Sequence, residues 1–169
     1  MLLKRCYGWP LLIVCLGGCN IVGKPDVVTA VAVEPVIEPI GELSFKRLHK
    51  ADYNLDDSPT VKSFNTLRSL ADYKTELARY SIEVTMNVDF SRSVVLASTL
   101  GSQPSGGYVI GVTKIEEFAD KARVTVELVS PGDNCITTSA ISNPYEFVEI
   151  PTVKVLEIIE TARTLDCST

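Results

Sequence analysis

His49 is the only histidine in this chain of 169 residues, and five cysteines accompany it, so these few side chains bound its nucleophilic and metal chemistry. A serine or cysteine nucleophile needs a neighbouring base, and His49 is the one imidazole on offer, with no G-x-S-x-G turn anywhere. A zinc site lacks C-x-x-C or H-x-x-x-H spacing. The pattern Asp52-x-Asn54-x-Asp56-Asp57 opens like a calcium loop, yet Asp57 stands where a sharp turn wants glycine and Ser63 where a bidentate glutamate belongs. It reads as a solvated loop, and His49 as a surface histidine beside Lys50. Gly101 and Gly106 have the spacing of a phosphate-binding loop, but Gly107 and Tyr108 replace the lysine and hydroxyl that would hold phosphate and magnesium. The carboxylate pairs Asp56-Asp57 and Glu116-Glu117 are not pinned in a cleft. The expectation is a non-enzymatic binding module without cofactor or metal.

The elements that would carry such a module begin with a leader. In MLLKRCYGWPLLIVCLGGC, Lys4 and Arg5 precede the apolar run Leu11 to Leu16, which is too short to span a bilayer. Gly17 and Gly18 before Cys19 resemble the bacterial lipobox, so residues 1–18 read as a signal peptide and Cys19 as the lipidated residue. A further acyl chain on the new amine would supply the second membrane signal that stable anchoring needs. Asn20 after that cysteine favours the outer membrane, periplasmic face, if the cell is Gram-negative. Residues 19–42 read as a tether, with Pro25, Pro35 and Pro39 favouring extended backbone. Its valines and isoleucines leave docking onto the domain open. The net charge of -5, made two units more negative by loss of Lys4 and Arg5, argues against a nucleic-acid partner.

Export also gives the remaining cysteines a meaning. Cys6 and Cys15 leave with the signal and Cys19 carries lipid, so Cys135 and Cys167 form an even pair, read as a disulfide. Closing a loop of about 33 residues would contribute roughly 3 to 4 kcal/mol on a chain-entropy account.

Residues 43–169 read as one small α+β domain, mostly antiparallel sheet with one helix. Ser69-Leu-Ala-Asp72 is a capping box, and Leu70, Tyr73, Leu77 and Tyr80 then share one face of an amphipathic helix over about 70–80. Strand signals cover Leu43 to Leu48, Val61 to Leu67, Val88 to Phe90, Val94 to Leu100, Tyr108 to Ile115, Arg123 to Val129, Cys135 to Ala140, Tyr145 to Ile150 and Val153 to Ile159, with turns at 119–122 and 131–134. No parallel-sheet rhythm is visible. Gly106 and Gly107 are expected to turn the chain and deliver Tyr108 to the core face of the long strand.

Several pieces in order, Gln103-Pro-Ser-Gly-Gly-Tyr108-Val-Ile, the strand Val124 to Val129, Ser130-Pro131-Gly132 with Cys135, and Asn143-Pro144-Tyr145-Glu-Phe-Val148-Glu-Ile150-Pro151, resemble the PrcB C-terminal domain family over about residues 86–151. That family is named for a lipoprotein subunit that associates with and stabilises a secreted protease, and it brings no catalytic residues. The resemblance implies an envelope-attached protein-binding domain, with an exported protein and more specifically a protease as partner. Ser102, Gln103, Ser105, Gly106, Gly107 and Tyr108 are its candidate contact. Two rival readings stay open: an envelope hydrolase or protease inhibitor using His49, and a structural envelope component without a dedicated client.

Overall fold

The structure, a computed structural model, describes residues 38–53 and 59–168. The leader, Cys19, most of the tether, and Asn54, Asp56 and Asp57 of the candidate calcium loop lie outside the described residues. The elements in chain order are β1 (Gly41–Glu42), β2 (Lys46–Ala51), β3 (Val61–Leu67), α1 (Leu70–Ala78), β4 (Val94–Gly101), β5 (Val109–Glu117), β6 (Lys121–Pro131), β7 (Tyr145–Ile150) and β8 (Val155–Leu165). They make two four-stranded sheets, one ordered β1-β5-β6-β8 and the other β2-β7-β4-β3.

The second sheet is the central layer, because its inner strands β4 and β7 carry apolar residues at consecutive positions and so bury both faces. In β4, Val94 and Leu96 join Val148, Ile150, Ile110, Val112, Ile115, Val124 and Val126 in a core between the sheets. Val95 and Ala97, one residue out of step, join Leu67, Tyr73, Leu77, Tyr80, Val88, Tyr145 and Phe147 on the opposite face. This is the alternation of a pleated strand with apolar residues on both sides. Each fully buried side chain of this size stabilises the fold by about 1.5 to 3 kcal/mol.

Helix α1 starts where the sequence places it. Ser69 takes extended backbone, and its Oγ accepts a hydrogen bond from the Asp72 N–H at 3.1 Å while donating to the Asp72 carboxylate at 2.7 Å. The helix is shorter than expected, and its apolar stripe is narrower. Tyr73 and Leu77 are buried, but Leu70 is 46% exposed, and Tyr80 is buried beyond the last helical residue. Glu76 is buried on the same side, held by Asn65 at 3.1 Å and by Arg79. A helix of nine residues cannot show a clean amphipathic face when one of its inward positions is a paired glutamate.

The sheets correct the sequence reading in four places. The first long strand runs Lys46–Ala51 rather than Leu43 to Leu48. Val88 to Phe90 forms no strand. It is a packed loop in which Val88 is buried and Phe90 stacks at 6.0 Å from Tyr73, since an apolar pair can be buried without ladder partners. Cys135 to Ala140 is irregular, its backbone serving the neighbouring turn, as when Thr138 O accepts from the Gly106 N–H at 3.1 Å. Finally, β8 does not return as a hairpin beside β7 but crosses to the other sheet and runs parallel to β6 from Lys121↔Val155 to Pro131↔Leu165. The crossing is fixed at both sides. Arg68 donates to the carbonyls of Val153 and Lys154, each at 2.9 Å, and the Lys154 ammonium donates to Glu117 at 2.8 Å and to the Phe118 carbonyl at 2.6 Å.

Candidate protein-binding surface

The Gly101 to Tyr108 turn lies at one end of the sheets, joined to two other loops. The Ser102 N–H donates to Thr60 O at 3.0 Å, Gln103 and Ser142 exchange backbone hydrogen bonds of 2.8 and 3.1 Å, and Ser142 Oγ donates to Ser105 O at 2.6 Å. Tyr53 and Thr138 hydroxyls share a hydrogen bond of 2.6 Å across the top of Gly106. A β-carbon at Gly106 would come within 2.5 Å of both hydroxyl oxygens, so a side chain there would have to displace the Tyr53 and Thr138 pair. Gly107 takes a φ of +88°, in the left-handed region that glycine tolerates.

This geometry divides the candidate contact residues. Ser102 and Gly107 are exposed, Gln103, Ser105 and Tyr108 are half-buried, and Gly106 is buried. Gln103 turns inward, its Nε2 donating to Leu100 O at 3.1 Å. Tyr108 precedes the strand, which opens at Val109, and it stays half-buried instead of entering the core; Ile110 and Val112 take the inward positions.

The sequence reading missed the apolar residues that share this end. Ile136 is fully exposed, Val61 73%, Ile141 70% and Tyr53 46%. The bonded loops place them at the same end of the sheets: Val61 pairs with Gly101, Tyr53 holds Thr138 two residues past Ile136, and Ile141 adjoins Ser142. An irregular segment read as a strand would have buried alternate residues, and that false expectation concealed Ile136.

Two polar groups elsewhere are built into the fold. Glu146 is fully buried on the inter-sheet side of β7. Its carboxylate accepts the Val112 N–H at 2.6 Å on the edge of β5, forms an ion pair with Arg47, and lies 3.8 Å from the Lys50 ammonium. A buried carboxylate that satisfies an edge N–H and two cations is a fastener between the sheets. His49 corrects the surface assignment: it is half-buried in β2, its Nε2 shares a 3.1 Å hydrogen bond with the Tyr73 hydroxyl, and its ring meets Phe147 edge-on at 5.9 Å. Burial lowers its pKa, and burial followed by the nearby Glu149 charge raises that of Tyr73. Tyr80 is pushed up to about 12, first by burial and then by Glu76.

Cys135 and Cys167 form a disulfide-capable pair with Cα atoms 5.0 Å apart. They follow the ends of the parallel strands β6 and β8, where Gly132 N–H also donates to Leu165 O at 3.0 Å. Asn134 donates to Asp166 at 2.6 Å, and with the Ser168 N–H it holds that carboxyl down to about 2. Among the described residues, no cluster of three or more His, Cys, Asp or Glu could hold a metal ion, and no helix is long and apolar enough to cross a membrane.

Comparison with the curated proteins and with the solved structures gave no match. The segment that runs from the start of β4 to just past β7, with the Gly101 to Tyr108 turn inside it, matches the family model described as PrcB C-terminal over residues 94–151.

Proposed function

We propose that the protein is an envelope lipoprotein, anchored through acylated Cys19, whose domain binds and stabilises an exported protein, a protease being the client the family match points to. The observation that carries this reading is the PrcB C-terminal match over residues 94–151, which coincides with the loops bearing exposed Ile136 and Ile141. Apolar side chains exposed on loops at one end of the sheets favour a protein partner that removes them from water. The anchoring half rests on the sequence alone, on Lys4 and Arg5, the apolar run and Gly17-Gly18-Cys19. The same exported setting would oxidise Cys135 and Cys167.

The hydrolase alternative has less support, because His49 is engaged by the Tyr73 hydroxyl and by the edge of Phe147. The test is affinity capture of the full chain from membranes, comparing wild type with the Ile136→Asp/Ile141→Asp variant at matched expression and thermal stability. Recovery of a protease with wild type and its loss with the variant is the expected outcome. Equal recovery with both, or a protease recovered with neither, rejects the client reading. Release of the chain as a water-soluble protein by Cys19→Ala checks the anchor separately.

A further inference from the structure

Strand β8 is unlike the other long strands. It pairs with β6 over its whole length, and among the described residues no strand pairs with its other edge. Its eleven residues are exposed from Ile159 onward, including Ile159 and Leu165, and Val155 at its start is 66% exposed. At about 3.3 Å per residue this is an open row of N–H and C=O groups roughly 36 Å long. Such edges are usually shortened, bulged or charged against pairing, because they template another strand. Here the register with β6 is unbroken.

The sequence of the edge complements itself. If two copies lie antiparallel about a twofold axis at Glu160, the outward face pairs Val155 with Leu165, Glu157 with Arg163 and Ile159 with Thr161. The inner face pairs Leu156 with Thr164 and Ile158 with Ala162. Apolar thus meets apolar at the ends, opposite charges meet between, and β-branched residues meet near the middle, all favourable cross-strand neighbours. Moving the axis by one residue to Ile159 sets Val155 against Arg163 and Glu157 against Thr161. Moving it to Thr161 sets Glu157 against Leu165 and Ile159 against Arg163. Only the Glu160 axis, of these three, joins the opposite charges.

Two further features fit that seam. Within one copy Glu157 already holds Lys121 at 2.9 Å and Arg123 at 2.7 Å, while Arg163 holds Glu127 at 3.3 Å, so the new pair would link two existing ion networks into one. The unfavourable position is Glu160 opposite its own copy. Each of these carboxylates carries its counter-ion, Lys62 of β3 at 2.5 Å, which offsets the repulsion.

We infer that β8 is a self-association edge: two copies of the chain join β8 to β8 antiparallel about Glu160, making one continuous eight-stranded sheet. The client reading is not required for this. Cysteine cross-linking of the full exported chain tests the register, and sedimentation of the detergent-solubilised, unmutated chain tests the assembly. Glu160→Cys should yield a disulfide-linked dimer, since the residue meets itself at the axis. Glu157→Cys should not, because its two copies lie about 20 Å apart, but it should cross-link to Arg163→Cys when the two variants are co-expressed. Arg163→Glu should raise the dimer dissociation constant about tenfold by placing like charges at both symmetric positions. A monomeric unmutated chain, cross-linking at 157 as efficient as at 160, or disulfide capture of Glu160→Cys by a different protein, would overturn it.

Discussion

Strands β4 and β8 occupy opposite extremes of the same domain. Strand β4 is buried at nearly every position, because both of its faces are apolar and its two edges are paired with β3 and β7. Strand β8 has a mixed sequence, one paired edge and mostly exposed side chains. The family match covers the first and stops before the second. Residues 94–151 therefore supply the strand buried on both faces and much of the loop end, whereas β8 is a strip laid alongside and fastened at its far end by Cys135 and Cys167. Burial, rather than strand length, decides which of these regions the fold depends on.

The sharpest way to break that contrast is to truncate one aromatic in the core and one apolar residue on the strip. Phe147 is fully buried and meets Tyr73, Tyr80, Tyr145 and His49 with ring centroids between 5.2 and 6.4 Å. Phe147→Ala should cost about 3 to 5 kcal/mol and lower the denaturation midpoint accordingly. Ile159→Ala, at a position 40% exposed, should cost under about 1 kcal/mol in the monomer. Comparable losses in urea unfolding would mean that β8 belongs to the same cooperative core.

The next largest effect concerns the fastener. Removing the bond with Cys135→Ser/Cys167→Ser should cost about 3 kcal/mol if the loop-closure account holds. Hydrogen exchange should reveal where the loss falls: amides of β8 should open well before those of β4 and β7, because β8 has one paired edge and few buried side chains to retain it. Uniform loss of protection across all three strands would show that the bond supports the whole fold. The Asn134 and Asp166 contact survives in this variant and limits fraying at the strand end.

How much of this contrast was readable in the sequence follows from the range of the interactions. Strands β3 and β7 appear with the bounds their apolar patterns suggest, and Ser69 caps α1 as its spacing requires, since both depend on residues close in the chain. The cysteine pair was legible by elimination. The parallel course of β8 was not, because its partner lies more than thirty residues back and the crossing is held by Arg68 and Lys154, whose targets no local pattern reveals. Glu146 was equally hidden. In Tyr145-Glu-Phe-Val-Glu-Ile150 two glutamates look alike, yet Glu146 is fully buried beneath Arg47 and Lys50 while Glu149 is only half-buried. The loop end was half legible: the glycines marked a turn, but Ile136 was assigned to a strand that does not form.

The smallest expected effect tests whether acid loosens the core face before it touches the strip. Burial lowers the pKa of His49, so its folded value lies below the unfolded value of about 6.5. In this interval the unfolded chain binds more protons than the native one, and stability therefore rises with pH. The contribution is intact above about pH 6.5 and is lost as pH falls from there through the folded pKa, by less than about 1 kcal/mol after solvent screening of a half-exposed ring. His49→Gln should flatten that part of the curve while retaining a hydrogen-bond partner for Tyr73. Asp166, whose carboxyl is held near 2, acts in a lower window: its stabilisation is present above the ordinary aspartate value and disappears as pH falls through about 2. Unfolding measured between pH 7 and pH 5 should thus respond to His49→Gln and not to Asp166→Asn, and the reverse result would place the pH-sensitive contact just past the end of β8 instead of beside Phe147.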